Sequence, residues 1–85
     1  MKGGCTVHKA FILINTAPSE LWRIADALRE LSEVKIASAV TGAFDVIVYA
    51  EVVDMSALGA LINIIHSMDG VERTQSAIEI PPRIE

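Results

Sequence analysis

The chain has a single cysteine, Cys5. One thiol cannot build an intramolecular disulfide framework, and Cys5 with His8 is too few ligands for a closed zinc site. Basic residues are few and scattered: Lys2, Lys9, Arg23, Arg29, Lys35, Arg73 and Arg83 stand against 11 acidic side chains, a formal net charge of −4. Neutralising phosphates needs clustered Lys and Arg, so this acidic domain is a poor candidate for direct nucleic-acid binding. The longest uninterrupted apolar run, Ala10 to Ile14, is far too short to cross a membrane. The N-terminus also lacks the apolar core and cleavage pattern of a signal peptide, so the cytoplasm is the expected compartment. Chemistry is missing as well. There is no Ser-His-Asp order with local support, no glycine-rich phosphate loop and no His/Cys/Asp cluster at metal spacing. Gly3-Gly4 precedes a strand rather than opening a helix, so it is no dinucleotide fingerprint. His8 and His66 have no obvious partner. No catalytic role, metal or cofactor is expected.

What the chain does have is aliphatic surface. Hydrophobic residues make up 52% of its 85 residues, while aromatics supply only 5%. A domain this short buries a modest share of its surface. The simplest outlet for so much Ile, Val, Leu and Ala is burial against another copy.

Six elements read out along the chain, within a single domain over 6–80. A loose N-terminal segment (1–5) and a C-terminal tail (81–85) flank it. Thr6 to Asn15 reads as a strand. Thr16 can cap the helix that follows, and Pro18 is tolerated in its first turn. That helix runs to about Leu31, with Leu21, Ile24, Ala25, Leu28 and Leu31 on one face. Trp22 lies beside this stripe and reads either as helix-edge or subunit packing or as a ligand contact. A second strand covers about Val34 to Thr41, a tight link follows at Gly42-Ala43, and a third strand runs from Phe44 to about Val53. Asp54 is a natural cap for a second helix reaching about Met68, with Leu58, Leu61, Ile62, Ile65 and Met68 inward. Asp69-Gly70 ends it. A last strand spans about Val71 to Ile80 and stops at Pro81-Pro82.

The two halves echo each other: Leu21 and Leu58 open the helix faces and Val34 and Val71 open the strands after them, both pairs 37 positions apart. This tandem fits an α+β, ferredoxin-like βαββαβ plan: a four-stranded antiparallel sheet with two helices on one face. The first and third strands are apolar on both sides near their middles, as central strands are. With both crossovers right-handed, both helices share one face. The opposite face is then left for a second subunit, sheet against sheet, in a dimeric α/β-barrel type of pairing.

Thr41-Gly42-Ala43-Phe44-Asp45 is the most informative segment. On composition it reads as a solvated hairpin turn, or as a binding turn with open N–H groups beside a carboxylate. Together with Ala10-Phe11-Ile12-Leu13-Ile14-Asn15-Thr16 and Gly70-Val71-Glu72-Arg73-Thr74, it resembles the effector-binding (RAM) half of the Lrp/AsnC transcriptional regulators, over about Val7 to Ile80. The resemblance implies a βαββαβ domain that pairs into dimers and then into octameric or similar rings. It implies an amino-acid effector bound between dimers near the turn. Carried over, the binding positions are Thr41, Gly42, Ala43 and Asp45 in the turn, with Thr74 and Ser76 on the last strand. Asp45 would meet the effector's ammonium, the Gly42 and Ala43 N–H groups its carboxylate, and the two hydroxyls would complete the shell. Phe44 stands where the family often has Tyr, so a hydroxyl is lost there. With its first strand so near Met1, the chain is expected to be a stand-alone version lacking the family's helix-turn-helix, open to assembly with full-length regulators.

Three other readings remain beside this one. One is a purely structural assembly domain. Another is a small dimeric α/β-barrel enzyme, although the strands offer few inward polar groups. The last is an ACT-type amino-acid sensor, which would need a glycine in Asn15-Thr16-Ala17-Pro18.

Overall fold

A computed structural model describes residues 7–80. Cys5, the loose segment 1–5, the strand stop at Pro81-Pro82 and the tail lie outside the described residues. The elements are β1 (His8–Thr16), a 3-10 turn (Pro18–Glu20), α1 (Leu21–Arg29), β2 (Val34–Ala39), β3 (Val46–Val52), α2 (Met55–His66) and β4 (Val71–Ile78). The sheet is antiparallel with strand order β2-β3-β1-β4, so the two strands that are apolar on both sides are the central ones.

Alternation along these strands divides the sheet. Ala10, Ile12 and Ile14 of β1 and Val46, Val48, Ala50 and Val52 of β3 are buried in one cluster with Ile24 and Leu28 of α1 and Leu58, Leu61 and Ile65 of α2. Both helices therefore cover the same face. On the other face Phe11 is 42% exposed and Ile36 56% exposed. Among the described residues nothing covers these side chains.

The helix ends follow local chemistry, with one departure. The Asp54 carboxylate accepts from the Ala57 N–H at 2.8 Å, an N-cap that satisfies a donor no helical carbonyl can reach. Thr16, expected to cap the first helix, does not. It is the last residue of β1, and its hydroxyl is buried with no partner among the described residues. The chain instead enters α1 through the 3-10 turn, with Pro18 in its first positions. Pro18's fixed φ suits such a turn, and its missing N–H costs nothing there. Both helices stop a little short of the sequence reading. Leu31 and Met68 follow them in hydrogen-bonded turns and still pack on the core.

The two positive-φ glycines lie in connections, Gly42 at +110° between β2 and β3 and Gly70 at +94° between α2 and β4. Gly70 leads into β4, and its carbonyl accepts from the Ala17 N–H at 2.8 Å, tying this turn to the start of the 3-10 turn. Arg23 adds side-chain bonds to Glu20 and to the Asp69 carbonyl.

Candidate functional site

The connection between β2 and β3 is longer than a two-residue link and occupies residues 40–45. Its ends are fixed from three sides. The Val40 N–H donates to the Asp45 carbonyl at 2.8 Å, and the Asp45 N–H donates to the Ile14 carbonyl at 2.9 Å. The Asp45 carboxylate accepts the Thr16 N–H through Oδ2 at 2.9 Å. Asn15 Nδ2 donates to the Ala43 carbonyl at 2.8 Å. This last residue of the site was missed in the sequence reading; a lone amide side chain closing an apolar strand was the available signal. The clamps pin the loop to the end of β1 and leave its crest open. Gly42 and Ala43 are exposed, and within the described residues neither N–H donates to another backbone group. A Cβ at Gly42 would meet nothing within 4 Å, so a ligand can approach the backbone closely.

Beside this crest lies a surface cleft of about 540 Å³, lined by Leu21, Trp22, Ala39, Val40 and Thr41. It forms where the start of α1 passes the end of β2. Trp22 is 65% exposed on its rim, outside the core.

Thr41, Gly42, Ala43 and Asp45 are thus one local unit. Thr74 and Ser76 are not part of it within one chain. They stand on β4 opposite Ile14 and Ile12, so they share the helix-covered side of the sheet. β1 separates β4 from β3, which puts about 10 Å of sheet between those backbones. Thr74 is also occupied: its hydroxyl pairs with His66 Nε2 at 2.5 Å, giving His66 the partner that the sequence did not reveal. No group of three or more His, Cys, Asp or Glu side chains that could hold a metal occurs among the described residues. No described helix is long and apolar enough to cross a membrane.

The open face of the sheet carries its own polar feature. The Tyr49 hydroxyl donates to Glu51 Oε2 at 2.8 Å, and its ring lies 5.3 Å from that of Phe11, centroid to centroid. The hydrogen bond to Glu51 above all, then partial burial and the charges of Glu51 and Glu79, hold the phenol above its ordinary value. A phenol raised in the folded state favours folding below the unfolded value, about pH 10, and that contribution is lost as pH rises through the folded value. Tyr49 is the only tyrosine, so ultraviolet titration reads it directly. The midpoint is expected above that of a free tyrosine, and Glu51→Gln is expected to bring it back down. An unchanged midpoint in Glu51→Gln would remove Glu51 as the cause.

The chain is thus a small α+β sheet domain with an open, clamped turn beside a cleft. The family described as Lrp/AsnC ligand binding domain matches residues 9–81, and the chain belongs to it. Solved structures agree. A protein from Thermus thermophilus is 26% identical with a TM-score of 0.85, aligned over 92% of this chain and 99% of its own. A hypothetical protein from Pyrococcus horikoshii is 32% identical with a TM-score of 0.82, over 88% of this chain and 92% of its own. A transcriptional regulator from Neisseria meningitidis, solved as a complex with L-Met, is 26% identical with a TM-score of 0.76 over 92% of this chain. This chain spans only 53% of that regulator's length. No curated protein matches.

Proposed function

We propose that this domain is a cytoplasmic binding module, not an enzyme, which takes a free amino acid at residues 40–45 and assembles with copies of itself through the open face of the sheet. The clamped turn carries this reading. Its four hydrogen bonds fix the loop while the Gly42 and Ala43 N–H groups stay open, as a preformed carboxylate site requires. Asp45 uses Oδ2 on Thr16 and keeps Oδ1 for an ammonium. The effector's side chain would lie in the cleft beside Thr41, whose apolar walls suit an aliphatic or thioether group. The Neisseria relative with L-Met supports that class. Thr74 and Ser76 would complete the shell from a neighbouring copy, since in their own chain they stand across β1. Full-length regulators of the same family are further candidate partners through the same sheet surface.

The test is a thermal-shift screen of the twenty amino acids on wild type and Asp45→Asn. Asparagine keeps an acceptor for the Thr16 N–H and removes the charge. At a hundredfold excess over Kd, a true effector adds about 2.7 kcal/mol. For a domain of this size that raises Tm by roughly 10–20 °C, at about 4–8 °C per kcal/mol. Wild type is expected to respond and Asp45→Asn to lose most of the response. A screen with no responder, or with equal responses in both proteins, would reject the assignment.

A further inference from the structure

We infer that Asp69 is a latent site of isoaspartate formation, held inactive by the Arg23 guanidinium. Asp69 is the only Asp or Asn in the chain that is followed by glycine. Glycine leaves its amide nitrogen unshielded by a side chain, and Asp69 is exposed, so water reaches it. Every other Asp and Asn precedes a residue whose Cβ hinders attack by that nitrogen.

The chemistry needs only water. The Gly70 nitrogen attacks Asp69 Cγ, an N–Cγ bond forms, and the Cγ–O bond to the carboxyl hydroxyl breaks. That hydroxyl leaves with the amide proton as water. Water then opens the cyclic succinimide. Breaking N–Cγ restores aspartate. Breaking the bond from the Asp69 carbonyl carbon to the Gly70 nitrogen leaves the main chain running through Cβ and Cγ. Nothing is oxidised or reduced, and the mass is unchanged. The product carries an extra methylene in its main chain, in the turn that leads into β4.

The native turn opposes the first step. The Val71 N–H donates to the Met68 carbonyl at 3.3 Å, which closes a turn with Asp69 and Gly70 at its centre. Gly70 has φ +94°, and no described residue other than glycine has a positive φ. A negative φ followed by a positive one defines a type II turn, which sets the Asp69 ψ at about +120°. There the Gly70 nitrogen points away from the Asp69 side chain. Ring closure needs that nitrogen to eclipse Cβ, so the whole Asp69–Gly70 peptide must turn over. The peptide is planar, so whatever holds its carbonyl also holds its nitrogen. Arg23 Nη2 donates to that carbonyl, and Arg23 Nε is itself fixed on Glu20 Oε1 at 2.5 Å. The Ala17 N–H grips the next carbonyl, that of Gly70, at 2.8 Å. A donor on the Asp69 carbonyl also makes the Gly70 N–H more acidic, which by itself favours attack. Geometry outweighs this, because a nitrogen that points away from Cγ forms no bond to it.

The test follows isoaspartate in the whole chain during incubation near neutral pH. An isoaspartyl O-methyltransferase with a labelled methyl donor counts it after any denaturant is removed, and fragmentation mass spectrometry places it at residue 69. Wild type unfolded in guanidinium is expected to accumulate it fastest and native wild type slowest. Arg23→Ala is expected to raise the native rate about tenfold, the change in an opening equilibrium when a charged hydrogen bond is lost. Arg23→Lys keeps a charged donor and is expected to restore most of the protection. Ile14→Val lowers global stability without touching the turn, and its rate is expected to stay near that of wild type. No isoaspartate at residue 69 in the unfolded chain would overturn the site. A native rate equal to the unfolded one, or an Arg23→Ala rate no higher than wild type's, would overturn the guard. So would equal acceleration by Ile14→Val.

Discussion

Ile14→Ala is expected to cost about 2–5 kcal/mol of stability. At about 0.05–0.15 kcal/mol per residue, a chain this long holds only roughly 4–13 kcal/mol in all. The residue is fully buried between Val46 on β3 and Thr74 on β4, in the middle of the core. Truncation there removes transfer energy and leaves a cavity, because strands held on both sides cannot close in. Its carbonyl also accepts the Asp45 N–H, so loosening Ile14 loosens the anchor of the loop. Urea unfolding should show a lower midpoint with an unchanged slope. Ile14→Val, which deletes one methylene, should lose only about 0.5–1.5 kcal/mol. Equal losses for the two variants would show that the cavity is not what matters at this position.

Gly70→Ala should lose a comparable amount for a different reason. The glycine has φ +94°, and an added Cβ would lie 2.6 Å from Glu20 Cγ, 2.7 Å from Glu20 Cβ and 3.2 Å from Ile24 Cδ1. A positive φ costs an L-residue about 1–2 kcal/mol. Overpacking adds about 1–3 kcal/mol more, because Glu20 Cβ is fixed to the backbone of the 3-10 turn and cannot swing away. Gly42 supplies the control. Its φ is also positive, but no atom lies within 4 Å of its virtual Cβ. Gly42→Ala should therefore lose only the backbone share, and the gap between the two variants measures the clash. If both lose the same, Glu20 is not an obstacle.

The sequence was most legible where one residue's chemistry decides the outcome. Asp54 is a cap because its short carboxylate reaches a free N–H locally. Gly42 and Gly70 are where backbone reverses with φ above zero. The central pair of strands was readable because Phe11 through Ile14 and Val46 through Tyr49 are apolar on both sides. The domain family, too, was visible in the three quoted motifs, and the match over residues 9–81 bears that out. What stayed hidden depends on contacts between distant segments. Glu72 through Ser76 are all polar or charged, so no alternation says which of them face the helices. That parity is set by the register shift at Asn15/Thr16, which places Thr74 on the inner side beside His66. Thr16 has the right chemistry for a cap, yet its N–H is claimed by Asp45, 29 positions away. The cleft at Trp22 depends on the angle at which the 3-10 turn delivers α1, and composition does not encode that angle.

The position of β1 between β3 and β4 also governs how the chain must fold. Of the described strands β1 comes first in the chain and has neither sheet neighbour available until α1 and β2 have been made, and its second neighbour, β4, follows only after α2. Until then Phe11 to Ile14 offer apolar side chains and unpaired amides in both directions, the profile of a segment that recruits strands from other chains. Local helix formation cannot relieve this, because the missing contacts are distant in sequence and carry the closure entropy of long loops. The arrival of β4 is therefore the step that leaves β1 with a partner on both sides.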